Sequence, residues 1–185
     1  MIQTQFISSY LKKLDYIIRN DEVNNQIYSS IEDIITNKIN NNKPINILLL
    51  GDDYINLIDI ATKLGKIYHH LLCQEEFTSE KDDAMIKIAY RHNLIDQYIG
   101  YTASKTRSFL RRNRNKVVIF NNDINLNYFD LDTFSNESLR EIIKNIELSN
   151  NKNIFIFIRN NNEYTIDGIN ITYKLDLSKS FLLIK

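Results

Sequence analysis

Apolar positions along this chain alternate between two spacings. From residue 3 to 19, Phe6, Ile7, Tyr10, Leu11, Leu14, Ile17 and Ile18 recur at helical period, which predicts a helix with one buried face. Asn20-Asp21 interrupts it, and Val23, Ile27, Ile31, Ile34 and Ile35 predict a second helix over 22–39. Residues 40–44 read as a turn, because Pro44 disfavours helix at the residue before it. The pattern then changes. Ile45–Leu50 is an unbroken apolar run ending at Gly51, as expected of a strand buried on both faces of a parallel sheet. Helical spacing returns over 55–72, 102–112 (with Thr102 or Ser104 near its start) and 135–147, where Ser135 is the expected N-cap. Between these helices lie further strand candidates at 84–90, 116–120 and 153–158, a weaker one at 171–177, and a short run at 181–184. Apolar strands alternating with helices predict a three-layer α/β domain around a parallel sheet of five strands. The polar stretch 74–83 reads as a loop.

Composition narrows the function classes. The chain has 185 residues, enough for one domain with a proper core, and its 43% hydrophobic and 25% charged residues are ordinary for a folded protein. Its 23 basic and 23 acidic residues cancel, so no global field draws in nucleic acid or an anionic membrane. The lone Cys73 forms no internal disulfide, and no segment has the apolar length of a membrane span. With polar residues interrupting every apolar run at the start of the chain, a cytoplasmic setting is expected. The bias toward Asn, Ile and Lys, with 4 Gly, 1 Pro and no Trp, fits an A+T-rich genome. For a virus, that setting becomes the host cytoplasm or the virion. His69 and His70 are adjacent and would point about 100° apart on a helix, so no shared metal site is expected.

Two segments carry a resemblance. Residues 93–110, NLIDQYIGYTASKTRSFL, hold Gln97, Tyr98, Ile99, Gly100, Thr102, Ala103, Lys105 and Thr106 in register with a motif, Q-Y-I-G-x-T-A-x-K-T. That motif is typical of the AAA+ ATPases related to red-type Rubisco activases, sporulation stage V K-type proteins and type VII secretion ATPases. Residues 47–71 resemble the same branch's Walker A strand, loop and helix, with Leu64, Gly65, Lys66, Ile67 and Tyr68 close to its helix. The resemblance covers about 45 to 177. It implies a P-loop NTPase-like sheet of order 5-1-4-3-2, with residues 43–185 as the core and 1–42 as an N-terminal helical extension. It leaves no room for the AAA+ C-terminal lid. In the family, the segment matching Tyr98, Ile99 and Gly100 is a pore loop that grips peptide.

The nucleotide motifs depart from the family. A Walker A loop cradles phosphates with amides on glycines, reaches them with a Lys, and holds Mg²⁺ with a Ser/Thr hydroxyl. The aligned turn runs Gly51, Asp52, Asp53, Tyr54, Ile55, Asn56, Leu57, Ile58. Leu57 stands in the Lys position and Ile58 in the Ser/Thr position. Asp52 and Asp53 are expected at the start of the next helix, where a carboxylate caps the end and meets its dipole for about 0.5–2 kcal/mol and repels a triphosphate. The Walker B acids are replaced by Asn121 and Asn122, with Asp123 one residue further on. Arg159 or Asn160 falls at the sensor-one position, although a polar strand end is also an ordinary loop.

The expected reading is a catalytically inactive AAA+-like protein that binds no cofactor and acts as a structural or interaction module. It would have a protein partner and be a monomer or an assembly not bridged by ATP. Tyr98 and Ile99 either hold that partner or pack onto their own sheet. Two alternatives remain at this level. One is a divergent ATP-binding remodelling subunit. The other is a nucleic-acid-binding accessory protein using Arg107, Arg111, Arg112 and Arg114, which otherwise form a solvated helix end.

Overall fold

The computed structural model describes residues 12, 21–35, 44–52, 54–73, 84–124, 133–148, 153–159, 166 and 168–177. The expected helix over 3–19 apart from residue 12, the loop 74–83 and the run 181–184 lie outside the described residues. The described elements, in order, are α1 (Asp21–Ile35), β1 (Ile45–Leu50), α2 (Tyr54–Cys73), β2 (Ile86–Ala89), α3 (Arg91–Leu94), α4 (Thr102–Arg112), β3 (Val117–Phe120), α5 (Thr133–Leu148), β4 (Ile154–Arg159) and β5 (Tyr173–Asp176).

The five strands form one sheet, ordered β2-β3-β4-β1-β5, in which every neighbouring pair is parallel. This is the expected 5-1-4-3-2 order. β1 and β4 lie at the centre and are buried at all six positions each, which explains their unbroken apolar sequences. Side chains alternate across the pleat. Ile47 and Leu49 join Ile156, Ile158, Val117 and Ile119 on one face, under Leu57, Ile60, Leu64 and Ile67 of α2 and Ile27 and Ile31 of α1. Leu48 and Leu50 join Val118, Phe155 and Phe157 on the other, under Phe109 and Leu110 of α4 and Leu139 and Ile142 of α5. The result is three layers, with Phe120 and Phe157 stacked at 4.7 Å in the second core.

Residues of the 47–71 match have packing reasons of their own. A Cβ on Gly65 would lie 2.6 Å from Val117 Cγ1, so α2 rests directly on β3 only because that side chain is missing. Tyr68 is fully buried and shares a hydrogen bond with Ser30 of α1, while its ring stacks on Tyr173 of β5. Burial pushes the Tyr68 hydroxyl well above its usual range. α1 therefore packs on α2 and β5 as part of one core.

At the sheet's N-terminal edge, the Asn153 amide donates to the carbonyls of Asn113 and Lys116, and its Oδ1 accepts the Asn115 N–H. His69 Nε2 lies 3.1 Å from the Asn115 carbonyl oxygen. Asn115 itself has φ 59, a left-handed turn residue of a type that tolerates it.

Two local expectations change. α5 begins at Thr133, so Ser135 lies inside the helix; its hydroxyl accepts from Arg91 Nη1 instead of capping. β2 spans four residues, short of the expected 84–90: residues 84 and 85 are helical, and at the other end Asn93 turns back to accept the Tyr90 N–H while its own N–H donates to the Tyr90 carbonyl. That reciprocal pair starts the short helix α3, which the apolar pattern does not reveal.

Candidate functional site

Parallel strands deliver all their C-terminal ends to one edge of the sheet, where sites form in open α/β folds. Two segments leave that edge in different ways: the turn after β1 and the loop between α3 and α4.

The turn after β1 is held tightly. The Gly51 N–H donates to the Arg159 carbonyl, and the Leu177 N–H donates to the Leu50 carbonyl. Leu57, in the first turns of α2, is only 1% exposed. Its Cδ2 lies 3.0 Å from where a Cβ on Gly51 would stand. The isobutyl group therefore folds back against the glycine. Ile58 is half-buried and Asp52 is exposed. Asp53 lies outside the described residues. At the end of β3, Asn121 is buried and its N–H donates to the Ala89 carbonyl, while Asn122 is half-buried. The Asp123 carboxylate accepts the Arg91 N–H at the start of α3, which directs it to the β2 side of the edge. Arg159 closes β4 fully buried, with Nη1 donating to the Ile158 carbonyl; Asn160 lies outside the described residues.

The loop from Ile95 to Tyr101 is built the opposite way. Its backbone is pinned from behind by α4: Thr102 Oγ1 accepts the Asp96 N–H, Lys105 Nζ donates to the Ile95 carbonyl, and Thr106 Oγ1 donates to the Leu94 carbonyl. Asp96 accepts the Tyr98 N–H and pairs with Lys105 at 3.4 Å. That N–H, followed by the Lys105 ammonium, holds the Asp96 carboxyl below the usual carboxylate range. Tyr98 to Tyr101 form a β-turn closed by the Tyr101 N–H on the Tyr98 carbonyl, with Gly100 at φ 85 in the third position, the conformation a type II turn gives to glycine.

The side chains carried on this frame face outward. Tyr98 is 63% exposed, Ile99 89% and Tyr101 62%, so the alternative in which Tyr98 and Ile99 pack on their own sheet is overturned. The two tyrosine rings meet edge-on at 6.4 Å. They and Gln97 line a shallow depression of about 780 Å³. Thr102, Lys105 and Thr106 of the matched motif thus hold in place the turn that presents its aromatic and aliphatic residues. Sequence reading missed Asp96 and Tyr101. The signal for Asp96 was an Asx position two residues before the Tyr98 amide.

The arginine group divides. Arg107 makes a two-pronged pair with Glu141 of α5, at 3.0 and 2.6 Å, which raises its pKa further. Arg111, Arg112 and Arg114 are exposed, and Arg112 Nε donates to the Ser108 carbonyl.

No known family and no curated protein matches the sequence. Among solved structures, the fold is similar to a chain of the E. coli MS115-1 HORMA:CdnC:Trip13 complex, with a TM-score of 0.52 at 8% identity over 93% of this chain and 63% of that one. It is also similar to the FIGL-1 AAA domain in complex with ADP, with a TM-score of 0.44 at 12% identity over 73% of this chain and 43% of that one. The chain spans less than two thirds of the length of either. No helix among the described residues is long and apolar enough to cross a membrane. The chain has the three-layer α/β fold of AAA+-like P-loop proteins.

Proposed function

We propose that this protein is a non-catalytic AAA+-like module that acts by binding another protein, and that the loop Ile95 to Tyr101 is its contact. One observation carries the first half. The residue aligned with the phosphate-binding Lys is Leu57, a buried aliphatic side chain that packs against Gly51 and offers a phosphate no cation. Ile58 offers no hydroxyl to Mg²⁺, and Asn121 and Asn122 offer neither a charge nor a base. The second half is supported by the exposed, pre-ordered apolar turn. A rigid apolar projection binds with little ordering entropy to lose, and apolar groups gathered on a surface mark interaction sites more often than chance. A role in a virion, an assembly or the regulation of an active homologue suits such a module.

Thermal unfolding with millimolar Mg-ATP tests the catalytic half. A ligand at 100 times its dissociation constant stabilises by about 2.7 kcal/mol, about 5 °C or more in a chain of this size. The reading expects no shift. A shift of that size would return the protein to the ATP-binding class.

A further inference from the structure

The exposed face of α4 continues from the apolar turn to a cationic end. Tyr101, Ser104, Ser108 and Arg111 recur at three- and four-residue steps and are all exposed, with Arg112 beside them. They form one stripe along the helix. The two basic residues flanking the stripe are already engaged, Lys105 by Asp96 and Arg107 by Glu141. No carboxylate among the described residues lies within ion-pair distance of Arg111, Arg112 or Arg114. α4 contains no acidic residue. The uncompensated charge of the stripe is therefore wholly positive and sits at the end away from the turn. Tyr101 and Arg112 are eleven residues apart, or about 16 Å of helix. The two serines between them leave a low saddle.

From this geometry we infer that the partner segment is acidic as well as apolar. It seats its apolar residues on Tyr98, Ile99 and Tyr101 and its carboxylates on Arg111 and Arg112. A separation of about 16 Å corresponds to about five residues of extended chain, so the carboxylates lie that far along from the anchors. A second copy of this chain is a poorer occupant. Three exposed apolar residues fall well short of the roughly 800 Å² per partner that a stable interface buries, and among the described residues the other exposed large apolar side chain is Tyr28 at 37%. Nucleic acid is disfavoured because the arginines cover one helix end of a chain with zero net charge. The inference rests on the proposed contact loop but adds the charge of what binds there.

The test uses the whole chain and labelled synthetic peptides read by fluorescence anisotropy. One peptide carries two aromatic residues followed, about five residues on, by three glutamates. A second replaces the glutamates with lysines, a third replaces the aromatics with serines, and an oligothymidine serves as a polyanion control. The first peptide is expected to bind at least about tenfold more tightly than each of the others and to weaken as salt rises. R111E/R112E should lose that preference while still binding the aromatic peptides weakly. Y98S/I99S should lose them all, and circular dichroism should report both variants folded. Equal affinity for the glutamate and lysine peptides, unchanged binding by R111E/R112E, or tighter binding of oligothymidine would overturn the inference and leave the contact loop standing. Unchanged binding by Y98S/I99S, or no peptide binding at all, would remove the loop as well.

Discussion

The turn after β1 and the loop before α4 leave the same edge of the same sheet, and both put aliphatic residues where a resemblance to AAA+ proteins draws attention. Their fates are opposite. Leu57 folds inward over Gly51 and joins the core with Ile47 and Leu49. Ile99 stands almost fully in water on a turn braced from behind by Thr102, Lys105 and Thr106. The difference lies in what each backbone is bonded to. The first turn is tied into the sheet ladder through Gly51 and Leu50, so apolar side chains near it find a core within reach. The second is tied to the N-terminal end of a helix by polar side chains, and its apolar residues are left on the far side. An aliphatic side chain is therefore drawn into the core in one place and presented on the surface in the other.

The largest effect that would break this contrast is at Leu57. Leu57→Lys restores the side chain that phosphate binding needs, yet buries an ammonium where an isobutyl group now packs. It should cost about 3 kcal/mol or more, seen as a lower urea midpoint, without producing Mg-ATP affinity. A stable variant that binds Mg-ATP would show that the turn is open and merely lacked its cation. Next in size is Thr106→Val, which removes the hydroxyl donating to Leu94 and hydrogen-bonded to Ser138. It should cost about 1–2 kcal/mol and speed amide exchange across 95–101. Unchanged exchange there would mean the turn is not braced by α4.

Smaller still, Ile99→Ser should leave stability within about 0.5 kcal/mol, because the side chain touches little. A substantial loss would place it in a core after all. The smallest effect is a pH titration. The Asp96 carboxyl is held below its usual range, chiefly by the Tyr98 N–H. A depressed carboxylate contributes above its unfolded pKa and loses that contribution as pH falls through the folded value. The Tyr98 amide resonance should therefore stay constant down through the ordinary carboxylate range and move only below it. Movement at the ordinary value would mean Asp96 is not engaged.

Much of the fold was legible because burial on two faces leaves unbroken apolar runs: β1, β3 and β4 fall within a residue of their expected bounds. The edge strand β2 and the helix α3 were less so, since Asn93 ends one and starts the other through a side-chain bond that apolar period does not register. Ser135 looked like a cap because its chemistry suits one, but Thr133 already opens α5 and the hydroxyl serves Arg91. In the candidate site, Leu57 and Ile58 were readable as aliphatic residues at the positions the resemblance gives to Lys and Ser/Thr. Whether Leu57 points in and Tyr98 points out was not, because the backbone bonds that orient each turn leave no mark on the apolar pattern. Likewise the arginines looked equivalent until Glu141 engaged Arg107 and left Arg111, Arg112 and Arg114 exposed.

The central proposal is that the packing of Leu57 against Gly51 leaves no space for a nucleotide. Hydrogen exchange followed by mass spectrometry on the whole chain, with and without saturating Mg-ATP, examines that turn directly. The account predicts the same uptake over 51–58 and 117–124 in both conditions. Slower exchange over those residues when Mg-ATP is present would contradict it.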